Sequence, residues 1–297
     1  MTRRALTPDD LGRAVELLRA DEEQLVGRPA RIGLADFREW LSRVDLEGDT
    51  WLFEENGLLA AFGWGETQGE LGWAAGVVHP DWKRQGLGVQ LLDCSEQRLR
   101  ELGAKRVHQF SYAADRGAAA LFVARGYREV RRFYEMAIEL DGPPDAAELP
   151  PGFTIESFDE SRAREFHGAL DESFQDHWEH HSVAFEVWWE QKRSAPDYDP
   201  SLWFVIRAGT ELAAAVRNEP NRRDGGMVAA LGVRRPWRGR GLGRALLLHT
   251  FGEFHRRGVT RISLGVDSEN PTGATKLYES AGMQVELEQV VFERAFA

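Results

Sequence analysis

Residues 77–92 read VVHPDWKRQGLGVQLL, and residues 232–247 read GVRRPWRGRGLGRALL. Laid over each other at an offset of 155 residues, they pair Val78 with Val233, Trp82 with Trp237, Gly86 with Gly241, Gly88 with Gly243 and Leu91 with Leu246. The register continues through Gly103 and Gly258, Arg106 and Arg261, and Asp115 and Asn270. One extra residue in the second copy then moves the offset to 156, where Leu121, Phe122 and Gly126 meet Leu277, Tyr278 and Gly282. A self-match of this extent marks an internal duplication, so the chain reads as two diverged copies of one domain.

The boundary between the copies falls in DGPPDAAELPPG, Asp141 to Gly152, a stretch with four prolines and no apolar periodicity. Such a segment is a semi-rigid linker. The expected division is therefore residues 1–140, a linker at 141–152, and residues 153–297. In the second copy FTIESF reads as a strand, followed by helices from about Asp159 to Phe174 and from Val183 to Lys192. A hairpin about Gly209 and a strand ending at Val233 come next. Gly241 to Arg257 has helical spacing, TRISLGV reads as a strand, Thr272 to Ser280 as a helix and VELEQVVFERAF as a terminal strand. The first copy repeats this order, with TWLFEENGLLAAFGWGE as its hairpin. Each domain is thus expected to be α+β, with a mixed, mostly antiparallel sheet flanked by helices.

With 37 Lys and Arg against 48 Asp and Glu, the net charge is −11. Phosphate-backbone binding needs clustered cations, so an extended nucleic-acid surface is not expected. The single cysteine, Cys94, excludes an intramolecular disulfide and suits a reducing compartment; in its helix it reads as a small buried hydrophobe. Charges interrupt the N-terminal stretch where a signal peptide needs an apolar run, and no apolar run is long enough for a membrane span. The expectation is a cytoplasmic protein with neither a nucleic-acid nor a membrane partner, present as a monomer or homodimer.

The strand, PWRGRGLG loop and helix of the second copy form a place for an anion. Gly241 and Gly243 let backbone approach a ligand, and the helix N-terminus beyond them offers unpaired N–H groups and the positive end of its dipole. Arg234, Arg235, Arg238, Arg240 and Arg244 add positive charge. A P-loop would need Lys then Ser or Thr after its last glycine, where Arg244 and Ala245 stand, and the dinucleotide spacing G-x-G-x-x-G is also absent.

Here the sequence resembles the GCN5-related N-acetyltransferase family, whose coenzyme A loop has the form R/Q-x-x-G-x-G/A after a strand ending in Val. Val233 and Arg238 to Gly243 match it fully. In the first copy Val78, Gly86 and Gly88 match, while Lys83 stands where Arg or Gln is usual. NPTGATKLYESAG supplies the family's later Asn, Tyr and Gly as Asn270, Tyr278 and Gly282. The resemblance covers nearly the whole chain as two tandem domains. It implies acetyl-CoA held by Leu231, Gly232, Val233, Arg238, Gly239, Arg240, Gly241, Leu242, Gly243, Arg244 and Asn270, and an anion site in the first copy at Val78, Lys83, Arg84, Gln85, Gly86, Leu87 and Gly88. It also implies acetyl transfer to the amine of a small molecule, with Tyr278 as general acid.

The family often carries a carboxylate base on the strand before the loop, but GGMVAALGV has none. His177, Glu219, Asp267, Glu172 and Asp176 are the candidates, with His177 placed first because its ordinary pKa of about 6.5 suits a base. The His177, His180 and His181 cluster has no established ligand spacing, so no metal is expected. Phe122 and Asp115 replace Tyr278 and Asn270 in the first copy, which is therefore expected not to catalyse. A pair of acyl-CoA-binding domains without turnover is the other functional class the sequence allows.

Overall fold

Small and β-branched residues dominate the strands that flank each glycine loop, and close packing of helices on those strands explains why. A Cβ at Gly72 would come within 2.9 Å of Leu99, and one at Gly226 within 2.5 Å of Phe254, so helices at both places rest directly on strand backbone. The computed structural model describes residues 1–296. Two units emerge: Met1–Tyr134 together with the residues from Leu287 on, and Glu135–Glu286.

In the first unit β1 (Thr2–Arg4) precedes α1 (Leu11–Val26) and α2 (Leu34–Trp40). Then follow β2 (Thr50–Glu55), β3 (Leu58–Gln68), β4 (Leu71–Val78), α3 (Leu87–Glu101), β5 (Arg106–Tyr112) and α4 (Arg116–Ala124), with β6 (Arg128–Glu139) beginning here. Strands β1 to β4 are antiparallel neighbours, and β4 and β5 run parallel. Phe37, Leu52 and Phe62 are buried between α1, α2 and the sheet.

The second unit repeats the order with β7 (Phe153–Ser157), α5 (Ala163–Phe174), α6 (Phe185–Arg193), β8 (Phe204–Ala208) and β9 (Glu211–Arg222). After these come β10 (Gly225–Val233), α7 (Leu242–Arg256), β11 (Arg261–Asp267), α8 (Ala274–Ser280) and the start of β12 (Gln284–Ala295). Again the early strands are antiparallel, and β10 meets β11 in parallel. Phe166, Ile206, Leu212, Phe251 and Phe254 form fully buried core. No helix or strand falls between β6 and β7, where the Pro-rich linker was expected.

The expected division at residues 1–140 and 153–297 differs from these units in one respect. From Gln289, β12 pairs antiparallel with β5 over Gln289–Ala295 and so completes the first unit's sheet. The end of β6 from Glu135 lies beside β11 in the second unit, where Arg261 meets Glu139 at 3.1 Å. The two copies have exchanged their last strands. An exchange of equivalent elements keeps every local pattern intact, which is why the self-match alone does not reveal it.

Candidate active site

Strands β10 and β11 pair only at Gly226–Ile262 and Met227–Ser263, then part. Past that point Leu231, Gly232 and Val233 pair with Val216, Ala215 and Ala214 on one side, and β11 does not pair with them on the other. The open edge leads to the glycine loop. Gly239 and Gly241 both adopt left-handed backbone, φ 73° and 79°, and a Cβ on either would meet nothing within 4 Å. Gly243 serves packing instead. A Cβ there would lie 3.1 Å from Leu277, so its absence lets α7 approach α8. Ala245 N–H donates to the Gly241 carbonyl at 3.0 Å, the first bond of α7. The amides of Gly241, Leu242, Gly243 and Arg244 have no acceptor among the described residues, as a helix N-terminus dictates. A pyrophosphate fits this set of donors, and the extended, amide-bearing arm of coenzyme A fits the open strand edge.

The five arginines around the loop divide into two groups. Arg234 pairs with Glu172 at 2.6 Å, and Arg235 and Arg238 grip Asp176 at 2.7 and 3.2 Å. Arg238 also donates to the carbonyls of Val233 and Ser173, tying the strand end to the end of α5. These three brace the loop. Arg240 and Arg244 are exposed beside the open amides, Arg240 with a 3.4 Å contact to the Pro236 carbonyl and Arg244 4.0 Å from Asp145.

Of the carboxylates considered as base, three are disqualified by their partners. Arg217 and Arg222 hold Glu219, and although burial opposes ionisation their charges bring its pKa down to about 2. Asp176 is likewise pulled below its ordinary value by Arg235 and Arg238. Glu172 is spent on Arg234. Asp267 is buried and accepts from the Glu269 amide at 2.9 Å. His177 is half-buried, burial pushes its pKa below the usual value, and its Nε2 lies 3.4 Å from Asn270 Nδ2. Asn270 Oδ1 accepts from the Thr272 amide and hydroxyl at 2.8 and 2.6 Å. That fixes the amide so that Nδ2 faces the ring, a contact that suits an unprotonated Nε2. His180, by contrast, turns its Nε2 to Asp171 at 3.2 Å. Tyr278 is buried, its pKa is raised to about 12 by burial, and its hydroxyl has no hydrogen-bond partner among the described residues.

The first unit carries the same frame with altered chemistry. Gly86 (φ 87°) caps α3 as Gly241 caps α7, and the loops occupy the same connection in each unit. Arg84, φ 66°, takes the left-handed place of Gly239, at a cost of about 1–2 kcal/mol for a residue with a Cβ. Lys83 pairs with Asp21 at 2.6 Å, repeating at the 155-residue offset the pair of Arg238 with Asp176. Asp115 caps α4 through the Ala118 amide. Phe122 packs on Tyr127 and Phe292. The hydroxyls of Tyr112 and Tyr127 donate to Glu22 and Glu96 at 2.7 and 3.0 Å, so both phenols already have carboxylate partners.

The chain matches the Acetyltransferase (GNAT) family over residues 14–127 and again over 163–283. It belongs to that family, in a tandem form, and is an N-acetyltransferase. Over 225 residues it is 33% identical to the mycothiol acetyltransferase of Thermobispora bispora, covering 73% of this chain and 74% of that one. A second mycothiol acetyltransferase, from Thermobifida fusca, is 29% identical over 264 residues, with 81% and 80% coverage. The solved GCN5-related N-acetyltransferase of Sphaerobacter thermophilus superposes with a TM-score of 0.87 at 30% identity, over 99% of this chain and 95% of that one. A tandem GNAT protein from the clavulanic acid biosynthesis pathway shares the fold, with a TM-score of 0.73 at 16% identity and coverage of 99% and 98%. Among the described residues no helix is long and apolar enough to cross a membrane.

Proposed function

We propose that the second unit transfers an acetyl group from acetyl-CoA directly to the amine of a small molecule, with Tyr278 as general acid and His177 as general base. The observation that carries this reading is Tyr278: a buried phenol, protonated at neutral pH, whose hydroxyl no group among the described residues engages, on the helix whose Leu277 packs against Gly243 of the loop. In this reaction the amine nitrogen bonds to the thioester carbonyl carbon as His177 accepts its proton. The carbon–sulfur bond then breaks and the sulfur takes a proton from Tyr278, which recovers it from solvent. Arg238 to Arg244 and Leu231 to Val233 supply the coenzyme A site, and Asn270 orients His177.

The first unit, in this reading, does not catalyse: Phe122 has no proton to give, and Tyr112 and Tyr127 are engaged. Its loop at Val78 and Lys83 to Gly88 keeps a helix N-terminus, and with it the capacity to bind an anion. Mycothiol synthase itself is the narrower alternative. The mycothiol acetyltransferases that resemble this chain favour it, and the missing strand carboxylate weighs against it. Release of coenzyme A thiol from acetyl-CoA in the presence of a panel of amines tests the general reading. Rescue of a bacterium lacking its mycothiol acetyltransferase tests the narrower one. Absence of thiol release with every amine, by protein that binds acetyl-CoA, would leave the non-catalytic binding module as the better account.

A further inference from the structure

The cation that matters most in the second unit after the loop arginines lies on the other side of β10. Asn218 of β9 donates to Thr250 of α7 at 3.1 Å, so it faces α7, and strand alternation turns its neighbours Arg217 and Glu219 to the opposite face. The partner strand agrees. Gly226, where a Cβ would strike Phe254 of α7, is on the α7 face, and Gly232, where a Cβ would strike Ser173 of α5, is on the other. Met227 pairs with Glu219 and Ala230 with Arg217, and the register slips by one residue between them, a bulge at Ala229. Arg217 thus sits across from Ala230, two residues before Gly232, on the α5 face and just where β10 has parted from β11.

Its guanidinium is held but not used up. Arg217 donates through one Nη to Glu219, and its other N–H groups meet no acceptor among the described residues although the side chain is only 12% exposed. Glu219 is the brace: its second oxygen takes Arg222 at 2.7 Å, and Arg222 in turn lies 3.8 Å from Asp197. The side chain is partly buried and its remaining N–H groups stay accessible, so a ligand can reach and complete them. Met227, Ala229 and Ala230 offer small or apolar side chains beside it and no competing charge.

We propose that Arg217 is a specificity-determining residue that pairs with a carboxylate on the acceptor, so that the substrate class is an amine that also bears a carboxylate. This rests on the acetyl-transfer reading above. The planar fork of a guanidinium matches a carboxylate through two parallel N–H bonds, a geometry that a lysine ammonium does not reproduce. Glu219, fixed between two arginines, holds the fork in place and is a positioning residue.

Calorimetry on the coenzyme A-saturated protein tests this with pairs of amino acids and their carboxamides, which share the amine and differ in the anion. The expected result is tighter binding of each acid than of its amide. In Arg217→Gln the acid should lose about 10- to 100-fold in affinity and the amide less than threefold. Arg217→Lys, which keeps the charge facing Glu219, guards against a folding defect and should recover part of the acid's affinity without restoring the full preference. Equal binding of acid and amide to the parent protein, or an acid preference unchanged in Arg217→Gln, overturns the proposal. Thiol release on the same pairs separates the two readings. Turnover of amides with no advantage for acids removes the carboxylate while keeping the acetyltransferase. Arg217-dependent binding of acids with no turnover keeps the carboxylate site and removes the acetyl-transfer reading.

Discussion

His177 Nε2 lies 3.4 Å from Asn270 Nδ2, across 93 residues of sequence. One residue follows the end of α5 and the other precedes α8, and the contact brings together the candidate base and the asparagine of the coenzyme A motif. A 3.4 Å contact is long for a hydrogen bond, so it orients the ring without consuming its basicity. The acceptor amine can replace it.

The pH dependence follows from the burial of His177. Burial favours the neutral ring, so its pKa in the folded protein lies below the ordinary value of about 6.5. A base of this kind stays competent through neutral pH, and kcat is expected to fall only on an acid limb below about 6.5. The same shift makes folding stability complete above the unfolded value and progressively lost as pH drops toward the folded one. His177→Gln should lower kcat by about 10²-fold or more and abolish that limb. Rate profiles of parent and variant check it; an unchanged acid limb in the variant assigns it to another group.

Tyr278→Phe removes only a hydroxyl that has no hydrogen-bond partner among the described residues, so the melting temperature and the coenzyme A affinity should stay close to those of the parent. Turnover should drop by about 10²–10⁴-fold, the usual contribution of a positioned acid. Turnover within twofold of the parent would take Tyr278 out of the chemistry.

Gly241→Asp and Gly86→Asp form a matched pair, because both positions have left-handed backbone at a helix start and open space where a Cβ would stand. Asp in the second loop places negative charge against the four free amides and should weaken coenzyme A binding there by about tenfold or more, with transfer activity falling in step. Asp in the first loop should leave transfer within about twofold, since the proposed acid and base lie in the second unit. Calorimetry and thiol release on both variants decide which loop serves catalysis. Loss of transfer in Gly86→Asp with retention in Gly241→Asp would move the active site to the first unit.

What could be read from the sequence was whatever depends on local spacing. The two GLG turns, their strands and the helices that follow them recur at one offset, and backbone conformation in a tight turn is dictated by the residues in it. The partners of Arg238 were hidden, because Asp176 lies 62 residues away and only folding brings it near. The restraint on Glu219 was closer to the surface of the sequence: Arg217 and Glu219 stand two apart in RNEPNRR, which on a strand means the same face. A period-two reading of that segment would have marked the carboxylate as paired and the arginine as worth following. Strand exchange left no trace, since β6 and β12 hold the same place in the element order of the two copies.

That exchange makes a prediction about how the chain can be cut. Residues 1–140 alone would lack β12, which supplies Val290, Val291 and Phe292 as buried side chains to the first unit. Burial of each such side chain is worth about 1.5–3 kcal/mol, against a total stability of about 5–15 kcal/mol for a typical domain. Polar ties go with the strand as well. Arg106 and Arg128 pair with Glu293 at 3.0 and 2.9 Å, and buried Glu96 takes Arg294 at 2.8 Å. The edge of β5 from Arg106 to Tyr112 would also lose its ladder partner and be left open to association. The expected outcome is that a segment of residues 1–140 is unfolded or aggregated, and that a synthetic peptide of residues 284–297 restores folded structure when added. Circular dichroism and hydrogen exchange on the segment with and without the peptide provide the check. A soluble, monomeric segment with full protection of β5 amides in the absence of the peptide would show that the first unit does not depend on the borrowed strand.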